Sequence, residues 1–191
     1  MRNHVSLKAM QALLIIVFLA SPLQAGENSP AVKKNAVKTT FLSLITGSAK
    51  LSYERATFPG QSIEFTGGII GVGFDKFGVN PRGGLLRAGY KFILLEQTGT
   101  ALSGFYVKPE YAWSFFDYDS REEAGQRIHS SMQTVMACVG YQREIKRFVL
   151  DGFVGAGTLW GTPVELQYHH GFIERYGFLT LTFSVKLGFS F

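Results

Sequence analysis

Residues 175–191, RYGFLTLTFSVKLGFSF, decide the fold. From Leu179 onward every odd position is apolar: Leu179, Leu181, Phe183, Val185, Leu187, Phe189 and Phe191. Thr180, Thr182, Ser184, Lys186, Gly188 and Ser190 fill the even positions between them. Strand side chains alternate faces with a period of two, so this stretch predicts a strand with one apolar and one polar face. In water, so long an apolar edge strand would be a template for aggregation. The same pattern suits a transmembrane barrel, whose outer face meets lipid and whose inner face meets a polar lumen.

Seven more strands are expected. They are predicted at 36–46 (poor alternation, facing undetermined), 50–57, 62–77, 84–95, about 105–115, 128–143 and 147–160. Within 62–77 the apolar parity changes from Ile63, Phe65 and Ile69 to Ile70, Val72 and Phe74, which predicts a β-bulge near Gly67–Ile70. Pro109 in the middle of the fifth segment predicts another local bulge. Short turns are expected at 58–61, 96–100 and 144–146, and loops at 46–49, 78–83, 117–127 and 161–174. The fold class is therefore all-β, an eight-stranded antiparallel transmembrane β-barrel spanning 36–191. Short turns on one side and mostly longer loops on the other fit a bacterial outer-membrane barrel.

The start of the chain reads as an export signal over 1–25: Arg2 and Lys8, the apolar run 12–20, then SPLQA with small Ala25 before the cleavage point. That run is too short for a spanning helix, which needs about 20 apolar residues. No Cys stands near the cleavage point for lipid attachment. Residues 26–35, polar with Pro30, Lys33 and Lys34, read as a periplasmic lead. The 191-residue chain has net charge +5, which export would lower to about +3. Neither the charge nor any basic–aromatic cluster argues for nucleic acid. Cys138 is the single cysteine and sits within a strand pattern as a small packed side chain. The 22 Gly and 17 Phe agree with short aromatic-rich strands.

Certain pieces of the chain resemble a known family. They are Asn35-Ala36-Val37-Lys38-Thr39-Thr40, Leu51-Ser52-Tyr53-Glu54-Arg55, Gly89-Tyr90-Lys91 and Gly104-Phe105-Tyr106-Val107-Lys108-Pro109, together with the terminal Phe. In these the chain resembles the small outer-membrane β-barrel proteins of Bacteroidetes that form a domain family of unknown function. The resemblance implies fold and location and transfers no catalytic residue. The terminal strand also looks like the signal read by the barrel-assembly machinery, with Leu187, Phe189 and Phe191 at alternating positions.

Alternation directs Glu54, Glu64, Arg87, Lys91, Lys108, Glu110, Asp151 and Lys186 into the lumen. Charges in so narrow a space must pair, and eight strands enclose just enough room for side chains. A salt-bridged plug is the expectation, with a narrow channel as the alternative. His129 and Ser131 share one strand face, and a His beside a Ser can act as its general base. The arrangement looks like that of the lipid A deacylase barrels, so a lipid A-modifying hydrolase is a second alternative. Glu144, the acid considered for orienting His129, falls at the opposite strand end. His169-His170, near Glu165 and Glu174, lacks the convergence a metal site requires, and no metal or other cofactor is expected. The segment 67–73 (GGIIGVG) opens no helix and carries no phosphate-loop Lys-Ser/Thr, which excludes nucleotide binding of that kind. The reading is a structural or surface-interaction protein of the outer membrane. Its partners are outer-membrane lipids, the assembly machinery and an unidentified surface molecule met by the loops at 117–127 and 161–174.

Overall fold

A computed structural model describes residues 33–75, 77–96, 101–120, 125–162, 168, 172–176 and 179–191. The expected export signal (1–25) and most of the expected lead (26–35) lie outside these residues. The elements in order are β1 (Asn35–Thr40), a 3-10 segment (Phe41–Thr46), β2 (Ser48–Phe58), β3 (Gln61–Ile70), β4 (Arg82–Glu96), β5 (Gly104–Asp119), β6 (Arg127–Ile145), β7 (Phe148–Thr162), β8 (Phe172–Tyr176) and β9 (Leu179–Ser190). Strands β1 to β7 pair antiparallel in sequence order, and β9 joins β7 to β1. This closes a barrel of eight strands, with β8 added on β9.

Period-two alternation holds around the ring. On β9 the odd residues Leu181 to Phe189 are exposed, while Thr180, Thr182, Ser184, Lys186 and Ser190 are buried. On β6, Val135, Ala137 and Val139 point out, and Thr134, Met136 and Cys138 point in. Closure explains how so apolar a strand avoids being an edge: β9 has a partner on both sides.

The structure corrects four details. Segment 62–77 contains no bulge near Gly67–Ile70: the β3–β4 register is unbroken from Gln61↔Phe92 to Ile70↔Gly83, and the strand ends at Ile70. The parity change marks the end of the strand, because Val72 and Phe74 belong to the following loop. Pro109 makes no bulge either, since Gly89↔Glu110 and Phe92↔Val107 share one register. Its missing N–H faces the one gap in that stretch of ladder, and the register shifts instead between Ile93 and Leu95. β8 begins inside the predicted last loop (161–174) and runs to Tyr176, where the Tyr176↔Leu179 pairing makes a hairpin with β9.

The fourth correction concerns the first strand, which stops at Thr40 rather than reaching residue 46. Its last pairs are Thr39↔Leu51 with β2 and Thr40↔Lys186 with β9. Beyond them the 3-10 segment lies along the wall, exposing Phe41, Leu44 and Ile45 and burying Ser43 and Thr46. β8 takes the β9 edge that β1 has left. Side chains replace the missing ladder: Thr39 Oγ1 donates to the Lys50 carbonyl (3.1 Å) and Ser43 Oγ to the Thr40 carbonyl (2.7 Å). The 71–75 loop docks through Phe74 N–H to the Leu44 carbonyl (2.9 Å). Gly73 permits that approach, because its φ is +98° and a Cβ would collide with the Leu44 carbonyl.

Candidate functional site

The lumen is filled in layers. At the end carrying the short turns, Ala36, Leu102 and Val149 form an apolar floor. At the long-loop end, Ile70, Val79, Leu85, Phe116, Met132, Leu159 and Tyr168 form an apolar lid. The Tyr168 ring stands edge-on to Phe116, 5.1 Å between centroids. Between floor and lid lies the charged layer, packed against Tyr106, Met136, Cys138 and Phe153.

Each lumen charge comes from an inward position of a different stretch of wall. Lys38 Nζ, with three N–H donors, lies within hydrogen-bond distance of Glu54 Oε2 (2.5 Å), Glu64 Oε2 (2.5 Å), Asp151 Oδ2 (2.7 Å) and Gln142 Oε1 (3.1 Å). Lys91 Nζ reaches the same four residues: Gln142 Oε1 (2.6 Å), Asp151 Oδ2 (2.8 Å), Glu54 Oε2 (3.2 Å) and, more distantly, Glu64 Oε2 (3.5 Å). Lys186 and Lys108 bond Glu64 Oε1 at 2.6 and 3.1 Å. Lys108 also reaches Glu110 at 2.6 Å, and Arg87 grips Glu110 with two parallel bonds of 3.0 and 2.7 Å. Tyr106 donates to Asp151 Oδ1 (2.6 Å) and Ser62 to Glu54 Oε1 (2.5 Å). The Lys91 and Lys108 ammoniums each lie 4.3 Å from a ring centroid, of Tyr106 and Phe153 respectively.

All eight predicted lumen charges are buried. Sequence reading missed Lys38, Lys50 and Gln142. Lys50 has the parity of Ser52 and Glu54 and was legible on that ground. Lys38 was obscured because the alternation of its short strand dissolves into the 3-10 segment. The described lumen therefore holds six basic side chains (Lys38, Lys50, Arg87, Lys91, Lys108, Lys186) and four carboxylates. Carboxylate oxygens of Glu54, Glu64 and Asp151 lie within 4.8 Å of one another, a spacing suited to a cation. The cation they hold is the Lys38 ammonium.

His129 and Ser131 both point outward on β6, near the long loops. Across the strand pair, Asp117 stands opposite His129, and its Oδ1 is 2.7 Å from His129 Nδ1. Sequence reading missed Asp117, which only the β5–β6 register brings there. Ser131 Oγ accepts from Trp113 Nε1 at 2.9 Å, and no hydrogen bond joins it to His129 among the described residues. Glu144 is fifteen residues along the same strand from His129, about 50 Å away at strand rise. It accepts from Lys33 Nζ and Ser190 Oγ, both at 2.8 Å. His169, His170 and Glu165 lie outside the described residues, as does the side chain of Glu174.

The three positions of the expected assembly signal, Leu187, Phe189 and Phe191, are exposed on the outer wall. Phe191 exchanges backbone bonds with Asn35, N–H to carbonyl at 2.9 Å and carbonyl to N–H at 3.1 Å.

No family model matches the chain, and no curated protein or solved structure is significantly similar to it.

Proposed function

We propose that this chain is an integral barrel of a bacterial outer membrane, exported by a cleaved signal, with a plugged lumen and a structural or surface-interaction role carried by its long loops. The observation that supports it most is the inversion of the barrel: a charge-paired interior inside a wall whose exposed positions are apolar. On β6 the exposed band runs from Val135 to Val139, and on β9 from Leu181 to Phe189. The eight steps from Leu181 to Phe189 rise about 20 Å on a tilted strand, comparable to the apolar band of outer-membrane barrels. In water this wall would be far larger than the apolar patch a monomer tolerates. Lipid solvates it without penalty, and the strand ladder leaves few backbone groups to satisfy. Trp113, Phe115 and Trp160 near one end, and Phe105, Tyr141, Phe148 and Phe189 near the other, supply the two aromatic girdles.

The test is insertion. The refolded chain is expected to float with phosphatidylcholine vesicles and to migrate faster on a gel unheated than boiled. A folded chain that remains in the aqueous fraction overturns the reading.

The Asp117–His129 pair favours a second reading, an outer-membrane lipid A-modifying hydrolase with Ser131 as nucleophile. Asp117 would orient His129, and rotation of Ser131 away from Trp113 would be needed. Ser131→Ala is expected to leave lipid A composition unchanged under the structural reading; loss of a deacylated species in the variant would establish the hydrolase.

A further inference from the structure

The short-turn rim carries a continuous arc of basic residues that the lumen does not use. Arg143 lies on β6, Lys146 and Arg147 form the β6–β7 turn, Lys34 leads into β1, and Arg55 lies on β2; all five are exposed. The wall order brings them together. Ser190 on β9 bonds the Arg147 carbonyl (2.8 Å), Asn35 pairs with Phe191, and Ala56 N–H bonds the Lys34 carbonyl (2.7 Å). Among the described residues none of these five side chains has an ion-pair partner, and the nearby Glu144 is taken by Lys33. At the opposite rim Arg127 pairs with Asp119 at 2.8 Å and the His129 ring lies 2.7 Å from Asp117, leaving Arg82 as the exposed basic side chain without an ion pair among the described residues. Aromatic rings are interleaved with the basic arc. The Phe148 and Phe189 rings lie 4.8 Å apart at a tilt of 46°, Phe191 is exposed on the same rim, and Tyr53 donates to Asn35 Oδ1 (2.8 Å).

Resting on the membrane reading above, we propose that this arc binds anionic phospholipid headgroups in the leaflet at the short-turn end. Long basic side chains lay their stems along apolar surface and keep the charge at headgroup level, while aromatic rings fix the depth of the rim. Each basic residue near an anionic surface strengthens attraction about fivefold. Five on contiguous strands are therefore enough for selection of phosphatidylglycerol over phosphatidylcholine.

The chain is inserted into phosphatidylcholine vesicles and into mixed phosphatidylcholine–phosphatidylglycerol vesicles, and the lipids it retains on extraction are counted by native mass spectrometry. The wild type is expected to retain phosphatidylglycerol with a preference above about tenfold, weakening as salt rises. The combined variant Lys34→Gln, Arg55→Gln, Arg143→Gln, Lys146→Gln, Arg147→Gln is expected to insert equally and to retain the two lipids near parity. Arg82→Gln with Arg127→Gln, at the other rim, is expected to keep the wild-type preference. Insertion without any preference, or a preference that survives the five substitutions, overturns the lipid assignment alone. Failure to enter either vesicle overturns the membrane reading and this assignment with it.

Discussion

Lys38→Met removes the centre of the charged layer while nearly conserving volume. Its ammonium touches Glu54, Glu64, Asp151 and Gln142, and all three carboxylates are at most 2% exposed. Breaking a buried pair by deleting one partner costs about 3–5 kcal/mol, because the surviving charge is stranded. Here each carboxylate keeps other partners: Lys91 for Glu54 and Asp151, and Lys108 and Lys186 for Glu64. The expected loss is therefore near the lower limit, about 3 kcal/mol. Glu54→Gln alone strands Lys38 less severely, since Glu64 and Asp151 remain. Combining the two substitutions restores the charge count, and the double variant is expected to lose less than the sum of the single losses by about 1–2 kcal/mol. The assay is guanidinium unfolding and refolding in vesicles, followed by the fluorescence of Trp113 and Trp160, both on the outer wall. A Lys38→Met variant within about 0.5 kcal/mol of wild type, the range of an ordinary surface substitution, would refute a lumen held by this network.

Three further outcomes follow from the wall and the core. Amide exchange in folded protein is expected to be fastest along the 3-10 segment and Ser48–Lys50, where the β1–β2 ladder is interrupted beyond Thr40, and slowest in the centre of β5 and β6; uniform protection around the barrel would contradict that interruption. Cys138, fully buried between Met136 and Phe153, is expected to resist maleimide until the barrel is unfolded, and labelling in the folded state would reveal an open lumen. Gly157→Ala places a Cβ against the Val135 carbonyl and is expected to lower stability by about 1–3 kcal/mol in the same unfolding assay, with an unchanged midpoint arguing that β7 can move away from β6.

The barrel was legible because a closed sheet writes its two faces directly into the sequence. Leu181, Phe183, Val185, Leu187 and Phe189 against Thr182, Ser184 and Lys186 require no tertiary knowledge, and the same period found the eight lumen charges. What failed to read from sequence was decided by contacts between distant segments. Nothing local in FLSLIT announces that β1 stops at Thr40; β8, encoded more than a hundred residues later, competes for the same β9 edge. The expected bulges at Gly67–Ile70 and Pro109 were inferences from local chemistry that the ladder absorbed, one by ending β3 and one by leaving out bonds that Pro109 could not make. Asp117 became visible beside His129 only through cross-strand register, and the basic rim only once β6, β7, β9, β1 and β2 were set side by side.

Charge pairing fills the lumen between the apolar floor and the apolar lid. Conductance of the inserted, heat-modifiable barrel in a planar bilayer tests it most directly. The expected result is an electrically silent membrane at moderate voltage. Steady currents would contradict the plug.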